Sequence, residues 1–431
     1  MKQILEAHYP PTFRKEDAKY LGTLLGNRHS VAVVGMKRVG INNFLRFFLY
    51  HPDTLPTYLK GETKHLFVRI DLNDLIERDI YPFWTLTLKR IVDTVEKTNC
   101  SETLKKECRK LFTESIQIKD LFFTLDSVHK IIGKLVNEGI SPTLFLLRFD
   151  RLNNVISHEF FHNLQGLNES ANHKLSYVFT SFRPLHQVAP EVLKKSSLSG
   201  FCDTLYIKPT QNNDSGILLE TFETHYGMKL QEPIKRLLIE LSGGHAQYLQ
   251  QSLIKLQSIQ DIPQDREVLL TLLGADEQIA LQSEELLASL TPEERTVLLA
   301  VHQSGSATEQ QKKTVGYLWD TGILVEKGKK EIIFSPLFAH YVSSIATNAI
   351  QGSEFTRKEH VLFSFLKTNQ ENLCERDAII NAVWPEQAEF GISDWAVDRL
   401  IARVRSKLKA QKSLYEIVTV ITRGYKLVKK G

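Results

Sequence analysis

The stretch VAVVGMKRVGINNF, residues 31–44, decides the fold of the first part of the chain. Its four small apolar residues suit a buried strand, the segment GMKRVG suits a tight loop, and INNF begins a helical pattern. Further apolar runs of strand length follow at 66–72, 143–150 and 175–181, with helical stretches between them. Buried strands that alternate with helices predict a parallel sheet with crossover helices, which is an α/β fold.

The loop of this stretch has the spacing of a phosphate-binding loop but lacks its reactive side chains. Such a loop reads GxxxxGK[ST]: the amides face the phosphates, the Lys contacts phosphate oxygens and the Ser or Thr hydroxyl holds Mg²⁺. Gly35 and Gly40 have the required spacing, but Ile41 stands in the Lys position and Asn42 in the Ser/Thr position. Hydrolysis of ATP is therefore not expected.

Two cations inside the loop, Lys37 and Arg38, are candidate substitutes for the missing Lys. Together with the backbone amides they leave weak binding of ATP or ADP open, and no other cofactor is expected. The candidate residues of this altered nucleotide site are Gly35, Lys37, Arg38, Gly40, Ile41, Asn42 and, from the acidic motif discussed below, Asp150.

Beyond the sheet, the chain becomes helical from about Gln211, and a new unit begins at LTPEERTVLLAVHQSG. Thr291 suits a helix N-cap, with Pro292 at the first helical position and Glu294 three residues after the cap. Two short β runs around Lys327-Gly328-Lys329 then predict a hairpin and, with the preceding helices, a winged helix. The predicted boundaries are a loop-bearing domain at 1–210, a helical lid at 211–288, a winged helix at 289–346, a linker at 347–354 and a last domain at 355–431.

Over roughly residues 10–345 the chain resembles the STAND and archaeal-type AAA-like ATPases. The resemblance rests on four motifs: Phe13-Arg14-Lys15-Glu16, Ser181-Phe182-Arg183-Pro184-Leu185, the lid turn Ser242-Gly243-Gly244-His245, and Phe334-Ser335-Pro336-Leu337-Phe338. It implies a P-loop NTPase-like parallel sheet with a helical lid and a winged helix. Because such modules assemble side by side, it also implies a homo-oligomer.

The same resemblance locates the acidic motif at residues 147–152. Those families read four apolar residues, Asp-Glu and then Phe-Asp-Arg-Leu, and residues 149–152 match the last four. Leu147 and Arg148 then occupy the Asp-Glu positions, so the catalytic acid is missing and the module is interpreted as a pseudo-ATPase. A simple pattern match instead makes Asp150 the metal-holding acid, and Asp150 therefore stays in the candidate site.

His158-Glu159-Phe160-Phe161-His162 matches HExxH, which on a helix sets two imidazoles on one side for zinc. No third ligand follows at the expected spacing, because Gln165 stands where HExxHxxGxxH has Gly. We therefore expect an ordinary helix that packs through Phe160, Phe161 and Leu164, with no metal bound.

The last domain carries three apolar helical stripes and a hairpin pattern, YEIVTVITRGYKL. Ser393 suits the N-cap of the third helix, and the spacing of Arg399, Arg403 and Lys407 predicts one row on its face away from the core. A helix with this pattern suits the major groove of double-stranded DNA. The stripes are Val361, Leu362, Phe365 and Leu366; Ile379, Ile380, Val383 and Trp384; and Val397, Leu400, Ile401, Val404 and Leu408.

Charge supports the same end of the chain as the DNA-binding part. The whole protein has a net charge of +4, but residues 399–431 hold ten basic residues against a single acid, which leaves −5 for the rest. A basic block joined to an acidic body is typical of one polyanion-binding end. Charge alone fits a solvated tail equally well.

Over about 75 residues this domain resembles the OmpR/PhoB transcription-factor effector domain. The matching residues are Phe355-Thr356-x-x-Glu359, Val383-Trp384-Pro385, Ala396-Val397-Asp398, Arg403-Val404-Arg405-x-x-Leu408 and Gly424-Tyr425-Lys426-Leu427. The resemblance implies a base contact for Arg403 and a phosphate contact for Arg405. Ile421 and Thr422 stand where the family wing has Arg-Gly, which leaves Arg423 as the candidate substitute. The candidate DNA-contacting residues are Trp395, Arg399, Arg403, Arg405, Lys407, Arg423 and Lys426.

Composition is ordinary for a globular protein, with 42% hydrophobic and 24% charged residues in 431. No apolar run reaches the length of a membrane helix, and the N-terminus lacks a secretory pattern, so we expect a cytoplasmic protein without a membrane partner. The four cysteines have no CxxC spacing and are expected to be reduced.

The combined prediction is a multidomain α/β plus α protein that acts as a transcription regulator. Its silent STAND-like module senses a protein or small-molecule effector or drives assembly, and its C-terminal winged helix reads DNA. Two alternatives stay open at this point. One is a nucleotide-switched NTPase that its basic tail anchors to DNA, and the other is a pseudo-NTPase scaffold that binds a protein.

Overall fold

A computed structural model describes residues 4–59, 64–194, 200–350, 357–384, 394–410, 413–420 and 423–429, without the side chains of residues 212, 346–350, 357, 394, 395 and 410. The chain divides into two compact units, residues 1–341 and 342–431. The finer boundaries predicted for the lid, the first winged helix and the linker stay predictions. Ser393, Pro385, Ile421 and Thr422 lie outside the described residues.

The first part of unit one is an α/β layer. Its helices are α1 (Lys15–Gly26), α2 (Ile41–Tyr50), α3 (Thr54–Tyr58), α4 (Ile80–Lys97), α5 (Glu102–Ile118), α6 (Leu121–Asn137), α7 (His158–Ser170) and α8 (Leu185–Val188). Its strands are β1 (Ser30–Val34), β2 (Lys64–Asp71), β3 (Ile140–Leu147), β4 (Ser176–Ser181) and β5 (Cys202–Tyr206).

The five strands form one parallel sheet in the order β2-β3-β4-β1-β5. Every residue of β1, β3 and β4 is buried, as strands covered on both faces require. The four strands predicted from apolar runs are confirmed. The sequence pattern missed β5, a sheet edge in which only Leu205 is buried.

The carboxyl ends of β1, β3 and β4 meet at one edge of the sheet, next to the loop of residues 35–40. Val31 is paired with Val178 and Phe145 with Val178, which brings the three strand ends into register. Ligands of open parallel sheets bind at this edge. The fold therefore sets the glycine-bearing loop, the acidic-motif segment and the residues after β4 around one space.

The rest of unit one is helical apart from one hairpin. Its helices are α9 (Asn212–Tyr226), α10 (Glu232–Ser242), α11 (Ala246–Gln257), α12 (Arg266–Gly274), α13 (Glu277–Ala288), α14 (Pro292–Ser304), α15 (Glu309–Thr314), α16 (Tyr317–Asp320) and the first part of α17 (Pro336–Ile350), which continues into unit two. Strands β6 (Leu324–Lys327) and β7 (Lys330–Ile333) form the hairpin. The predicted cap of α14 is confirmed, since Thr291 and Glu294 form a capping box.

Unit two contains α18 (Arg357–Thr368), α19 (Arg376–Val383) and α20 (Asp394–Ala410), with β8 (Cys374–Glu375), β9 (Tyr415–Val420) and β10 (Gly424–Lys429). The strands form a three-stranded antiparallel sheet in the order β8-β10-β9. The predicted stripes are buried or half-buried in one core, so the three helices and the hairpin are confirmed. Among the helices that the structure describes, none is long and apolar enough to cross a membrane.

Candidate nucleic-acid interface and loop pocket

The loop between β1 and α2 has a backbone that only glycine accommodates at two points. A Cβ on Gly35 would lie 2.7 Å from the carbonyl oxygen of Ile207, and Gly40 has φ of 110°. Arg38 also adopts the left-handed region, with φ of 61°. The loop therefore has a defined turn that ends at the first residue of α2, Ile41.

The two residues that follow Gly40 are neither Lys nor Ser or Thr. Ile41 is half-buried and apolar, and Asn42 is exposed at the start of α2. The cations present are Lys37 and Arg38, and both are engaged by Glu285 of α13. Lys37 Nζ lies 3.5 Å from Glu285 Oε1, and Arg38 Nε lies 3.2 Å from Glu285 Oε2. Lys37 also stands over the ring of Phe182, 4.9 Å from its centroid.

The acidic-motif segment carries an arginine directly after the last residue of β3. Leu147 is buried at the end of β3, and Arg148 follows in the left-handed region with φ of 61°. The Arg148 guanidinium binds Asp71 at the end of β2, and its amide donates to Thr180 Oγ1 at 2.7 Å. Burial opposes ionisation of Asp71, but the hydrogen bonds from Arg148 and from the Asn73 amide outweigh it and lower the pKa.

Asp150 lines the same pocket as the loop. Burial raises the pKa of this carboxyl, against the opposing effects of Lys37 and the Phe182 amide. The pocket has a volume of about 730 Å³, and the loop, Arg148, Asp150 and Glu285 all line it. The residues grouped by the sequence analysis are thus brought together, while their roles toward a nucleotide stay predictions.

The turn between α10 and α11 docks on the loop through His245, a contact that the sequence did not predict. Gly243 and Gly244 have φ of 60° and 75°, and a Cβ on Gly244 would overlap the carbonyl oxygen of Thr210. His245 is fully buried, and its Nε2 donates to the Lys37 carbonyl oxygen at 2.9 Å. Burial lowers the pKa of His245 to about 4, so the imidazole is neutral at pH 7.

Arg183, after β4, is tied to the first winged helix. Its guanidinium donates to both carboxylate oxygens of Glu294, at 2.9 and 2.8 Å, and lies 3.9 Å from the centroid of the Tyr317 ring. Tyr317 in turn donates to the Phe182 carbonyl oxygen at 2.6 Å. The floor of the pocket and the start of α14 are thus one hydrogen-bonded network.

The HExxH match lies on α7 with its polar residues outward. His158, Glu159 and His162 are exposed, and the two imidazole centroids are 6.5 Å apart. Phe160 and Phe161 are buried, as is Leu164, which confirms the expected packing. Within the described part of the chain, no group of three His, Cys, Asp or Glu residues could hold a metal ion.

The third helix of unit two, α20, presents a different face from the one expected. Its most exposed described side chains are Asp398, Ala402, Ser406 and Lys409. The predicted row Arg399, Arg403 and Lys407 is half-buried instead, and Arg403 and Lys407 lie beside α18.

Glu359 of α18 explains this position. Its carboxylate is 1% exposed, with Oε2 2.6 Å from Lys407 Nζ and Oε1 3.9 Å from Arg403 Nε. The expectation that the row faces away from the core is therefore wrong for Arg403 and Lys407. The neutralisation of a buried carboxylate accounts for the inward turn of these cations.

Arg405 links the helix to the wing. Its Nε donates to the Ile417 carbonyl oxygen at 2.8 Å and its Nη2 to Thr419 Oγ1 at 2.7 Å, both on β9. The guanidinium also lies 5.7 Å from the centroid of the Tyr425 ring. Arg405 therefore has a structural function besides the phosphate contact that the resemblance implies.

On the wing itself, Arg423 is exposed beside the turn, and Lys426 Nζ lies 3.1 Å from Glu371 Oε2. A network that sequence reasoning missed joins Asp398 to Arg376 and to the Tyr425 hydroxyl, and these hydrogen bonds lower the pKa of Asp398. The side chain of Trp395 lies outside the described residues.

Unit one is thus a five-stranded parallel sheet with a glycine-bearing loop between β1 and α2, and unit two is three helices with a small antiparallel sheet, the arrangement of a winged helix. Residues 351–427 match the family model described as "Transcriptional regulatory protein, C terminal". That match supports a DNA-binding transcription regulator. A comparison with curated proteins gave no match.

Among solved structures, the chain is similar to the Walker-type ATPase of Pyrococcus abyssi, at 17% identity and a TM-score of 0.49, over 77% of this chain and 95% of that one. It is similar to the ORC2 protein of Aeropyrum pernix, at 12% identity and 0.45, over 81% and 98%. It is also similar to the ORC1 protein of Aeropyrum pernix in complex with DNA, at 10% identity and 0.35, over 97% and 89%.

Proposed function

We propose that this protein is a sequence-specific transcriptional regulator whose ATPase-like unit is catalytically silent and answers to a ligand or a partner. The family match of residues 351–427 supports the DNA-reading part. The silent part is supported above all by Arg148, which takes the position of the catalytic acid and is bound to Asp71. An arginine held in this way cannot accept a proton from an attacking water.

The loop supports the same interpretation. Ile41 offers no positive charge to the γ-phosphate, and the two substitute cations, Lys37 and Arg38, are both bound to Glu285. The expected result is no hydrolysis of ATP or GTP above background with Mg²⁺, measured as released phosphate. Hydrolysis that Asp150→Asn abolishes would contradict the proposal and would favour the nucleotide-switched alternative.

Selection of bound fragments from random duplex DNA tests the regulator function directly. We expect the full chain to enrich one sequence motif. Arg403→Ala should relax the preference at one base pair and weaken binding there by roughly 1–3 kcal/mol, if the base contact implied by the resemblance holds. Recovery of random sequences would instead favour the scaffold or a basic anchor.

Salt dependence separates phosphate contacts from mere surface charge. Arg423 is exposed on the wing, and Arg423→Ala should weaken binding to all sequences and lower the slope of log affinity against log salt by about 1. Lys110→Ala on α5 is a matched control that removes an exposed cation of unit one. If Arg423→Ala and Lys110→Ala changed the DNA affinity and its salt dependence equally, the wing would not be part of the DNA interface.

The proposal includes self-association on DNA. A single winged helix makes few contacts, and two linked binding events raise affinity without new chemistry. We expect the full chain to prefer two half-sites about one helical turn apart, with an increase in mass of the complex by mass photometry. Equal affinity for one-site and two-site duplexes, without that increase, would refute the assembly.

A further inference from the structure

The lid helix α13 places a carboxylate on the two cations of the phosphate-type loop. Glu285 is the residue in contact, with its side chain 20% exposed, and the side chains of Lys37 and Arg38 are 28% and 52% exposed. The Glu285 carboxylate is negatively charged, as is any phosphate group that the loop amides would bind. The two anions would therefore compete for the same pair of cations.

Charge in the rest of the pocket favours an incoming anion once Glu285 withdraws. Five basic and three acidic side chains line the pocket. Arg46 is paired with Glu6 at 3.3 Å, and Arg148 is paired with Asp71 outside the lining. Arg151 Nε is buried and has no hydrogen-bond partner among the residues that the structure describes. A buried donor of this kind gains a partner when an anion binds.

We propose that Glu285 is an internal competitor of the loop's anionic ligand, so that a phosphate-bearing compound binds only when α13 releases Lys37 and Arg38. The inference rests on the proposed function, because it makes the silent unit a ligand-controlled one. The lid turn has separate anchors, the His245 bond to the Lys37 carbonyl and the Thr210 bonds to Gly244. Release of Glu285 therefore loosens α13 from the loop without undocking the turn, while the hydroxyls of Tyr248 and Ser283, 2.7 Å apart, still join α13 to α11.

Linkage gives the size of the effect. For a ligand that binds only the released state, the apparent affinity equals the intrinsic affinity multiplied by the fraction of molecules in which Glu285 is released. Two partly exposed ion pairs correspond to about a tenfold preference for the engaged state. Glu285→Gln keeps the shape of the side chain and removes its charge, so it should raise the affinity for an anion by about the same factor.

The experiment uses the full chain and isothermal titration with inorganic pyrophosphate and, separately, with ADP, both in EDTA. We expect Glu285→Gln to bind pyrophosphate about tenfold tighter than the wild type. Glu284→Gln, a change of the same charge on the same helix at a residue that does not line the pocket, should leave the affinity unchanged. Tighter binding of ADP than of pyrophosphate would show that the ligand is a nucleotide. Equal binding of the two would show that the ligand is a phosphate compound without a nucleoside.

Hydrogen exchange without ligand is the second measurement. Amides of α13 should exchange faster in Glu285→Gln than in Glu284→Gln, and if Glu285→Gln folds poorly, Glu285→Asp should give the same order because the shorter side chain cannot reach both cations. Equal pyrophosphate affinity of Glu285→Gln and wild type, or no binding by Glu285→Gln, would overturn the proposal. Neither result changes the outcome of the selection from random duplex DNA. The failure of this inference is therefore distinguishable from the failure of the proposed function.

Discussion

Replacement of Glu294 by Ala tests how strongly the pocket floor is joined to the first winged helix. The Arg183 and Glu294 side chains are 10% and 4% exposed and form a bidentate pair. Removal of one partner of a buried pair costs about 3–5 kcal/mol, because the other charge stays buried and unpaired. Glu294 Oε2 also accepts from the Thr291 amide at 2.9 Å, and the loss of this cap adds about 1 kcal/mol.

We therefore expect Glu294→Ala to lower the free energy of local opening of α14 by about 4–6 kcal/mol. Thr291→Ala removes only the cap and should cost about 1 kcal/mol. Glu294→Gln keeps the capping box and a neutral hydrogen bond to Arg183, and it should fall between the two. Native-state hydrogen exchange of the α14 amides measures these changes without the assumption that the whole chain unfolds in one step.

The double change Arg183→Met with Glu294→Ala is the informative control. Replacement of a buried pair by apolar groups is often neutral, so this variant should recover most of the loss seen in Glu294→Ala. Equal losses of about 1 kcal/mol in Glu294→Ala and Thr291→Ala would show that the ion pair contributes nothing. Burial of Arg183 and Glu294 would then not explain the stability of α14.

Three further outcomes follow from other contacts. The pKa of His245 is lowered from 6.5 to about 4 in the folded protein, so the unfolded chain binds the extra proton first and stability falls with falling pH between these values. From pH 7 to pH 5 His245 should contribute a loss of about 2 kcal/mol in urea unfolding, and the loss in His245→Gln should be smaller than that of the wild type by about this amount. Arg405→Ala should lower the melting temperature as well as the DNA affinity, whereas Arg423→Ala should change affinity alone; an unchanged melting temperature in Arg405→Ala would argue against its link to β9. Gly244→Ala should abolish soluble expression, because its Cβ overlaps the Thr210 carbonyl, while soluble, stably folded protein would show that the turn can shift.

The strands could be predicted from the sequence wherever their buried residues form a regular apolar pattern along the chain. The strands at 31–34, 143–147 and 176–181 are buried along their length because the sheet is covered on both faces there, whereas the edge strand at 66–71 buries every second residue. Edge strand β5 and the two-residue β8 carry no such repeat, since one has a single buried residue and the other is too short. Both were therefore missed.

The residues of the candidate sites could be predicted from the sequence, but the residues that they contact could not. A spacing of four residues shows that Arg403 and Lys407 share one side of a helix, but it cannot show which neighbouring helix lies there. The neutralising carboxylate, Glu359, stands 44 and 48 residues earlier in the chain. The contacts of Glu285 and His245 with the loop could not be predicted for the same reason, because each residue is separated from Lys37 by more than 200 residues.

The bonds from Arg405 to the Ile417 carbonyl and to Thr419 join α20 directly to the wing. The angle between α20 and the wing is then set during folding, and little conformational entropy is left to lose when the duplex arrives. A preorganised reader of this kind cannot adjust the separation between its helix and its wing. One base pair inserted between the two contacted grooves should therefore abolish recognition by one of them rather than weaken both evenly.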